Sequence, residues 1–277
     1  MRRTIPIISA GVILVIFLIW LGKSVDEKIE APPGMVFIPG NGAIDPFFMD
    51  AAPVTVAQFR EFVKATGHIT QAEKFGDAGV FTTEENWHLV KGASWEYPVG
   101  REGSKAKDDH PVTQVSYYDA IAYSEWAAKR LPTEMEWQHA AMDAARIETQ
   151  YNWGDQLVME GKFMANTWQG SFPFFNTNED GFETTSPVGT FGKTKLGLMD
   201  ISGNVWEWCS DWKIPSGLSM VNFEPDSTAE KVLRGGSFLC DPSYCHGYKL
   251  DGRSGSTPET SLFHTGFRCV RDIGTSG

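Results

Sequence analysis

Residues 197–209 read Gly-Leu-Met-Asp-Ile-Ser-Gly-Asn-Val-Trp-Glu-Trp-Cys. Asp200 and Glu207 stand on either side of a turn marked by Gly203-Asn204, with Trp206 and Trp208 alternating beyond it. Carboxylates around a glycine-containing turn, whose carbonyls are free to point inward, can cage a hard cation with oxygen ligands in the way calcium sites do. Acidic, Asn-rich turns are also ordinary solvated surface, and on the same footing the two tryptophans suit the core better than a ligand platform.

Working outward, the chain past about residue 145 keeps this character: Gly, Asn, Asp, Pro and aromatic residues dominate. Only short strand candidates stand out, Val232-Leu233-Arg234 and Phe267-Arg268-Cys269-Val270. So long a stretch with little regular structure needs internal ties, such as bound metal ions, to offset the entropy of ordering it. Asn166 and the run Asn176-Thr177-Asn178-Glu179-Asp180-Gly181 form a second oxygen-rich stretch. Upstream the pattern is more regular. Met35-Val36-Phe37-Ile38-Pro39 predicts a strand, and three pairs predict capped helix starts: Thr55/Gln58, Ser116/Asp119 and Thr133/Glu136. In each, a hydroxyl and a side chain three residues on satisfy backbone N–H groups reciprocally. After Thr55, the residues Phe59, Phe62 and Val63 share a face with Val56, and Gly67 ends the run.

The 277 residues are 42% hydrophobic and 13% aromatic, ample for a real core, and the formal net charge of -11 argues against binding a phosphate backbone. The run Ile5 to Leu21 holds twelve Ile, Leu, Val or Phe residues, which gives about -4 to -7 kcal/mol of insertion free energy before penalties. No small-residue cleavage site follows it, so residues 1–24 are expected to be an uncleaved signal anchor crossing the membrane once, with secretion after cleavage as the alternative. Arg2 and Arg3 with the terminal amine outweigh Lys23 and Lys28, placing the rest of the chain in the periplasm or outside. Residues 25–33 then serve as a Pro-containing linker, and 34–274 as one domain.

The segment 235–245 carries Cys240 and Cys245 with four residues between them. A disulfide closing so short a loop contributes only about 2 kcal/mol. Two soft sulfur ligands would equally suit Cu(I), so both readings stand from spacing alone. The six histidines show no H-x3-H or H-E-x-x-H pairing and are expected to be surface or hydrogen-bonded structural residues. Hydrolase, kinase and dinucleotide motifs are absent from the sequence.

Several of these residues together resemble the formylglycine-generating enzymes, or sulfatase-modifying factors. The resemblance runs through Gly92-Ala93-Ser94-Trp95, His110-Pro111-Val112, Lys129-Arg130-Leu131-Pro132-Thr133-Glu134, Gly203-Asn204-Val205-Trp206-Glu207-Trp208, Gly235-Gly236-Ser237 and Gly266-Phe267-Arg268-Cys269. Within the superfamily, Cys240 and Cys245 in a C-x4-C segment ending Ser-Tyr-Cys, with Arg253-Ser254 and Thr257-Pro258, match the catalytic branch.

The resemblance implies an irregular α+β fold related to C-type lectin-like domains, low in regular secondary structure. It implies Cu(I) held by Cys240 and Cys245, with Ser237 and Trp206 lining the site, and oxidation by O2 of a cysteine in a C-x-P-x-R segment of an unfolded sulfatase to Cα-formylglycine. It further implies two structural Ca2+ sites: Asn166, Thr167, Asp180 and Phe182 in one, and Asp200, Gly203, Val205 and Glu207 in the other. Ser124, Ala141 and Leu250 stand where secreted relatives carry structural cysteines, leaving Cys209 and Cys269 unpaired. Asp241-Pro242 replaces basic residues often found after the first active cysteine, which bears on substrate preference. A membrane-bound lectin-like binding module and a small-molecule oxidase of the same fold are the rival readings.

Overall fold

The structure, a computed structural model, describes residues 30–274 except 85, 146 and 218. The apolar run at 5–21, expected to anchor the chain, lies outside these residues; no helix among the described residues is long and apolar enough to cross a membrane.

Strands Met35–Ile38 (β1) and Phe47–Asp50 (β2) pair antiparallel, with Met35 opposite Asp50. Helix Val56–Thr66 (α1) follows Thr55, whose hydroxyl accepts the Gln58 N–H while Gln58 returns to the Thr55 backbone, and it buries Val56, Phe59 and Phe62. The same reciprocal cap, from Thr70 and Glu73, starts a short helix, Gln71–Phe75 (α2), that the sequence pattern did not announce. Asp77–Thr82 (β3) and Asn86–Lys91 (β4) form an antiparallel hairpin. Tyr117–Trp126 (α3) and Glu134–Ala141 (α4) start at the predicted Ser116/Asp119 and Thr133/Glu136 caps.

The remainder has the expected loop-rich character, crossed by short strands. Val158–Met159 (β5) pairs with Lys162–Phe163 (β6), and Gly170–Ser171 (β7) with Phe175–Asn176 (β8). Then come Trp206–Trp212 (β9), Lys231–Arg234 (β10), Arg253–Ser256 (β11), Thr265–Gly266 (β12) and Val270–Asp272 (β13). Two sheets organise the domain: β1-β2-β13, and β11-β10-β9-β12 with β12 parallel to β9. The predicted strand at Phe267-Arg268-Cys269-Val270 is broken into the end of β12 and the start of β13. Between them the Arg268 side chain turns inward to meet Glu207, while Phe267 and Cys269 lend their carbonyls to the N–H groups of Val54 and Asp50.

Three apolar clusters form the core. One gathers Phe59, Phe62, Trp95, Tyr123, Trp208 and Phe267 under α1 and α3. A second joins β1, β2 and α4 through Ile38, Phe47, Met49 and Trp137, and contains Cys209. The third packs Phe81, Trp168, Phe238 and Phe263 beside the β3–β4 hairpin. Ala141 and Leu250, two of the positions that lack structural cysteines, fill the second cluster as apolar side chains.

The loops between these elements are tied by buried polar contacts in place of ladders. Asn204 accepts from Ser186 N–H (3.0 Å) and donates to Ser186 O (3.2 Å), and its own N–H reaches Asn166 O (2.9 Å). Gly203 lies against the same carbonyl at φ 76°, where a Cβ would come within 2.2 Å of Asn166 O, so only glycine fits there.

Candidate active site

The chain leaving β10 turns at 235–236 and brings Ser237, Cys240 and Cys245 onto one loop over the start of β9. Ser237 O accepts the Cys240 N–H (2.9 Å) and Asp241 O accepts the N–H groups of Tyr244 (3.1 Å) and Cys245 (2.8 Å), so local hydrogen bonds close the loop. Cys240 and Cys245 face one another across it, Cα atoms 4.9 Å apart, joined as a disulfide. Cys240 is buried in the cluster of Trp206 and Tyr248, and Cys245 packs at its edge. The Gly247 N–H points at Cys245 Sγ (3.4 Å), a contact that favours negative charge on that sulfur. Gly247 also lies against Trp206: a Cβ there would come within 2.1 Å of the indole, so the absence of a side chain is what lets Trp206 wall the loop. Asp241, which departs from the family's usual residue, turns its carboxylate onto Ser243 N–H (2.7 Å) and the Ser243 hydroxyl, so it caps its own turn.

Ser237 is fully buried, and its Oγ lies 3.0 Å from His264 Nδ1. His264 carries no motif that sets it apart in the sequence; the contact spans 27 residues and depends on β12 lying parallel to β9. An edge of its ring reaches solvent, yet burial among packed neighbours pushes its pKa down to about 3, so it is neutral.

Beside the loop, Trp168 donates its backbone N–H to Cys240 O (3.1 Å). Phe172 stacks between Phe81 (5.4 Å) and the exposed Tyr244 (4.8 Å). A cleft of about 630 Å3, with Phe81, Trp168, Phe174, Phe175 and Leu239 among its walls and Glu84 and Glu183 also lining it, runs up to the residue before Cys240.

The two oxygen-rich stretches come together as well. Asp180 accepts the N–H groups of Thr167 (3.0 Å) and Phe182 (3.0 Å), which gathers three of the four residues expected at the first cation site. Asn166 Oδ1 next to them is buried without a partner. Burial also raises the Asp180 pKa. Gln169 Nε2 donates to both Thr167 O and Asp180 Oδ2, holding the position of a donor between oxygens a cation would share. At the second site Asp200 Oδ1 is buried without a partner while Oδ2 takes the Gly189 N–H (2.7 Å), and burial pushes its pKa up to about 6. Glu207 is already engaged by Arg268 through both oxygens (2.7 Å each) and by the Trp137 indole N–H (2.7 Å). Arg268 further reaches Met199 O (2.8 Å) and Asp200 O (3.3 Å). The orphaned oxygens of Asn166 and Asp200 fit a hard cation; the second site has in Arg268 a built-in partner that the sequence pattern did not reveal.

Cys209 and Cys269 are both buried and free, as expected, and burial raises both thiol pKa values.

The profile of the sulfatase-modifying factor enzyme 1-like domain matches residues 27–273. The chain belongs to this family. It is 44% identical over 253 residues to the formylglycine-generating enzyme of Streptomyces coelicolor, covering 84% of this chain and 80% of that protein. The inactive C-alpha-formylglycine-generating enzyme 2 of Mus musculus is 35% identical, with 92% and 89% covered. Among solved structures, PvdO from Pseudomonas aeruginosa superposes with a TM-score of 0.59 at 23% identity over 83% of this chain and 81% of that one, a likeness of fold. The family therefore contains both active and inactive members, and the irregular α+β architecture with few helices is the family's own.

Proposed function

We propose that this sulfatase-modifying factor relative oxidises the cysteine of a C-x-P-x-R segment in an unfolded sulfatase to Cα-formylglycine, using O2 and Cu(I) held by the reduced pair Cys240 and Cys245. The observation that carries the reading is the thiol pair itself: two cysteines held face to face by one closed loop, walled by Trp206 and joined through that loop to Ser237. Bound copper supplies the one-electron chemistry with O2 that removes hydrogen from the CH2–S carbon. The chain's part is to hold that chemistry in place. Soft sulfur ligands on a short loop suit Cu(I), and burial of Cys240 keeps water from one side of them. The aromatic cleft ending at Leu239 accommodates an extended peptide, with Glu84 and Glu183 available to its arginine. Ca2+ at the Asn166/Asp180 and Asp200/Glu207 sites would hold the loops that carry Trp206. In the same reading residues 5–21 tether the domain outside the cytoplasm, where a sulfatase emerges unfolded.

The test is to load the reduced protein with Cu(I), incubate it in air with a Cys-x-Pro-x-Arg peptide and follow the peptide by mass spectrometry. Conversion to the aldehyde is expected, and its loss in both Cys240→Ser and Cys245→Ser. Copper-loaded protein that leaves the peptide unchanged would remove the reading in favour of an inactive binding module.

A further inference from the structure

We propose that His264 is a positioning residue that fixes Ser237 as a hydrogen-bond acceptor toward the group held beside Cys240 and Cys245. The inference rests on the place given to Ser237 in the oxidase reading, and it follows from counting the polar atoms around one hydroxyl. Ser237 has one hydrogen to donate and two lone pairs to offer, and it is fully buried. One lone pair faces the Leu239 N–H (3.3 Å). The other partner of the hydroxyl among the described residues is His264 Nδ1 at 3.0 Å.

Two arrangements are open to this pair. If Nδ1 carried the imidazole hydrogen, it would take the second lone pair, and the serine hydrogen would be buried with no acceptor, which is unfavourable. If Nδ1 is bare, the serine O–H donates to it and the imidazole hydrogen sits on Nε2. That atom makes no hydrogen bond to a described residue and is not among the buried atoms lacking a partner, so water can take its hydrogen. Only the second arrangement satisfies every polar atom. It requires a neutral ring, which burial enforces across the working pH range.

The rest of the structure holds the ring in this pose. His264 O accepts the Trp206 N–H (3.0 Å), and the Trp87 ring packs on the imidazole at 4.9 Å. Ser237 is then left with a single free lone pair. It can receive a hydrogen bond from a thiol or a water in the site, and it cannot give one.

The test uses the full-length, reduced, metal-free chain with 15N-labelled histidine. Two-bond 1H–15N correlation spectra are expected to show His264 as the Nε2–H tautomer with Nδ1 as a hydrogen-bonded acceptor, and Ser237→Ala is expected to move Nδ1 toward a free, pyridine-like nitrogen. An Nδ1–H tautomer overturns the proposal. In the peptide assay, His264→Leu is expected to lower kcat about tenfold with little change in KM, the size of one hydrogen bond lost from the transition state. His264→Asn, whose amide oxygen can stand near the Nδ1 position, is expected to rescue most of that loss. In a Ser237→Ala background His264→Leu should cost nothing further. An equal loss in that background means that the ring only supports the fold, and overturns the proposal. Failure of the oxidase reading is distinguishable, because the wild-type chain would then leave the peptide unchanged while the tautomer is still read directly.

Discussion

The helical part of the domain and the loop-rich part solve the same problem with contacts of different range. Between residues 55 and 141, four helices start on the same device, a hydroxyl and a side chain three positions apart, so each cap is complete within one turn. Beyond residue 146 the deciding contacts cross the chain. Glu207 meets Trp137 and Arg268, 70 and 61 residues away, and Asn166 is tied to Asn204 across 38. Local devices are many and each is worth little. The long-range ones are few, buried and charged, and the loops have nothing else to replace them.

The contrast predicts a ranking of effects. Glu207→Ala leaves Arg268, which is 0% exposed, as an uncompensated buried charge; it should cost about 3–5 kcal/mol, read from the urea midpoint. A loss no larger than that of a helix cap would erase the distinction. Next in size is removal of calcium. If the orphaned oxygens of Asn166 and Asp200 hold cations, a chelator should lower Tm by on the order of 5 °C, and hydrogen exchange should quicken in the loops around 166–207 before it does in α1. An unchanged Tm and exchange pattern would show the loops to be self-sufficient. Thr55→Ala removes one helix cap and should cost about 1 kcal/mol without changing the slope of the unfolding curve.

The smallest effect is a pH dependence. Burial raises the Glu136 pKa, but hydrogen bonds from Arg130 outweigh this and hold it below its ordinary value. A depressed carboxylate adds stability above its unfolded pKa and loses it as pH falls through the folded one. Wild type should therefore lose more stability than Glu136→Gln between about pH 5 and 3, by less than about 1 kcal/mol because the pair is partly solvated. Equal acid sensitivity in the two proteins would show that the ion pair adds nothing.

The same difference in range explains what could be read from the sequence. The caps at Thr55, Ser116 and Thr133 were legible because both partners lie in one short window. The Thr70/Glu73 helix has the same signature, but its five residues leave no room for an apolar period to announce it. Ser237, Cys240 and Cys245 were legible as neighbours. The roles assigned to them came from the resemblance, because spacing alone left disulfide and metal equally open. His264 was not legible at all: only the parallel pairing of β12 with β9 brings it to Ser237. The predicted strand at 267–270 failed because its pattern cannot show that Arg268 is wanted by a carboxylate 61 residues upstream.

Cys209 and Cys269 turn the molecule into its own folding probe. They lie in different apolar clusters, one with Trp137 and Val270 and the other with Phe59 and Phe267. Burial suppresses their thiolates, so an alkylating reagent reaches either one only when its own cluster opens. The order in which a mass spectrometer finds them labelled therefore reports which half of the core breathes first, with no dye, tag or substitution introduced.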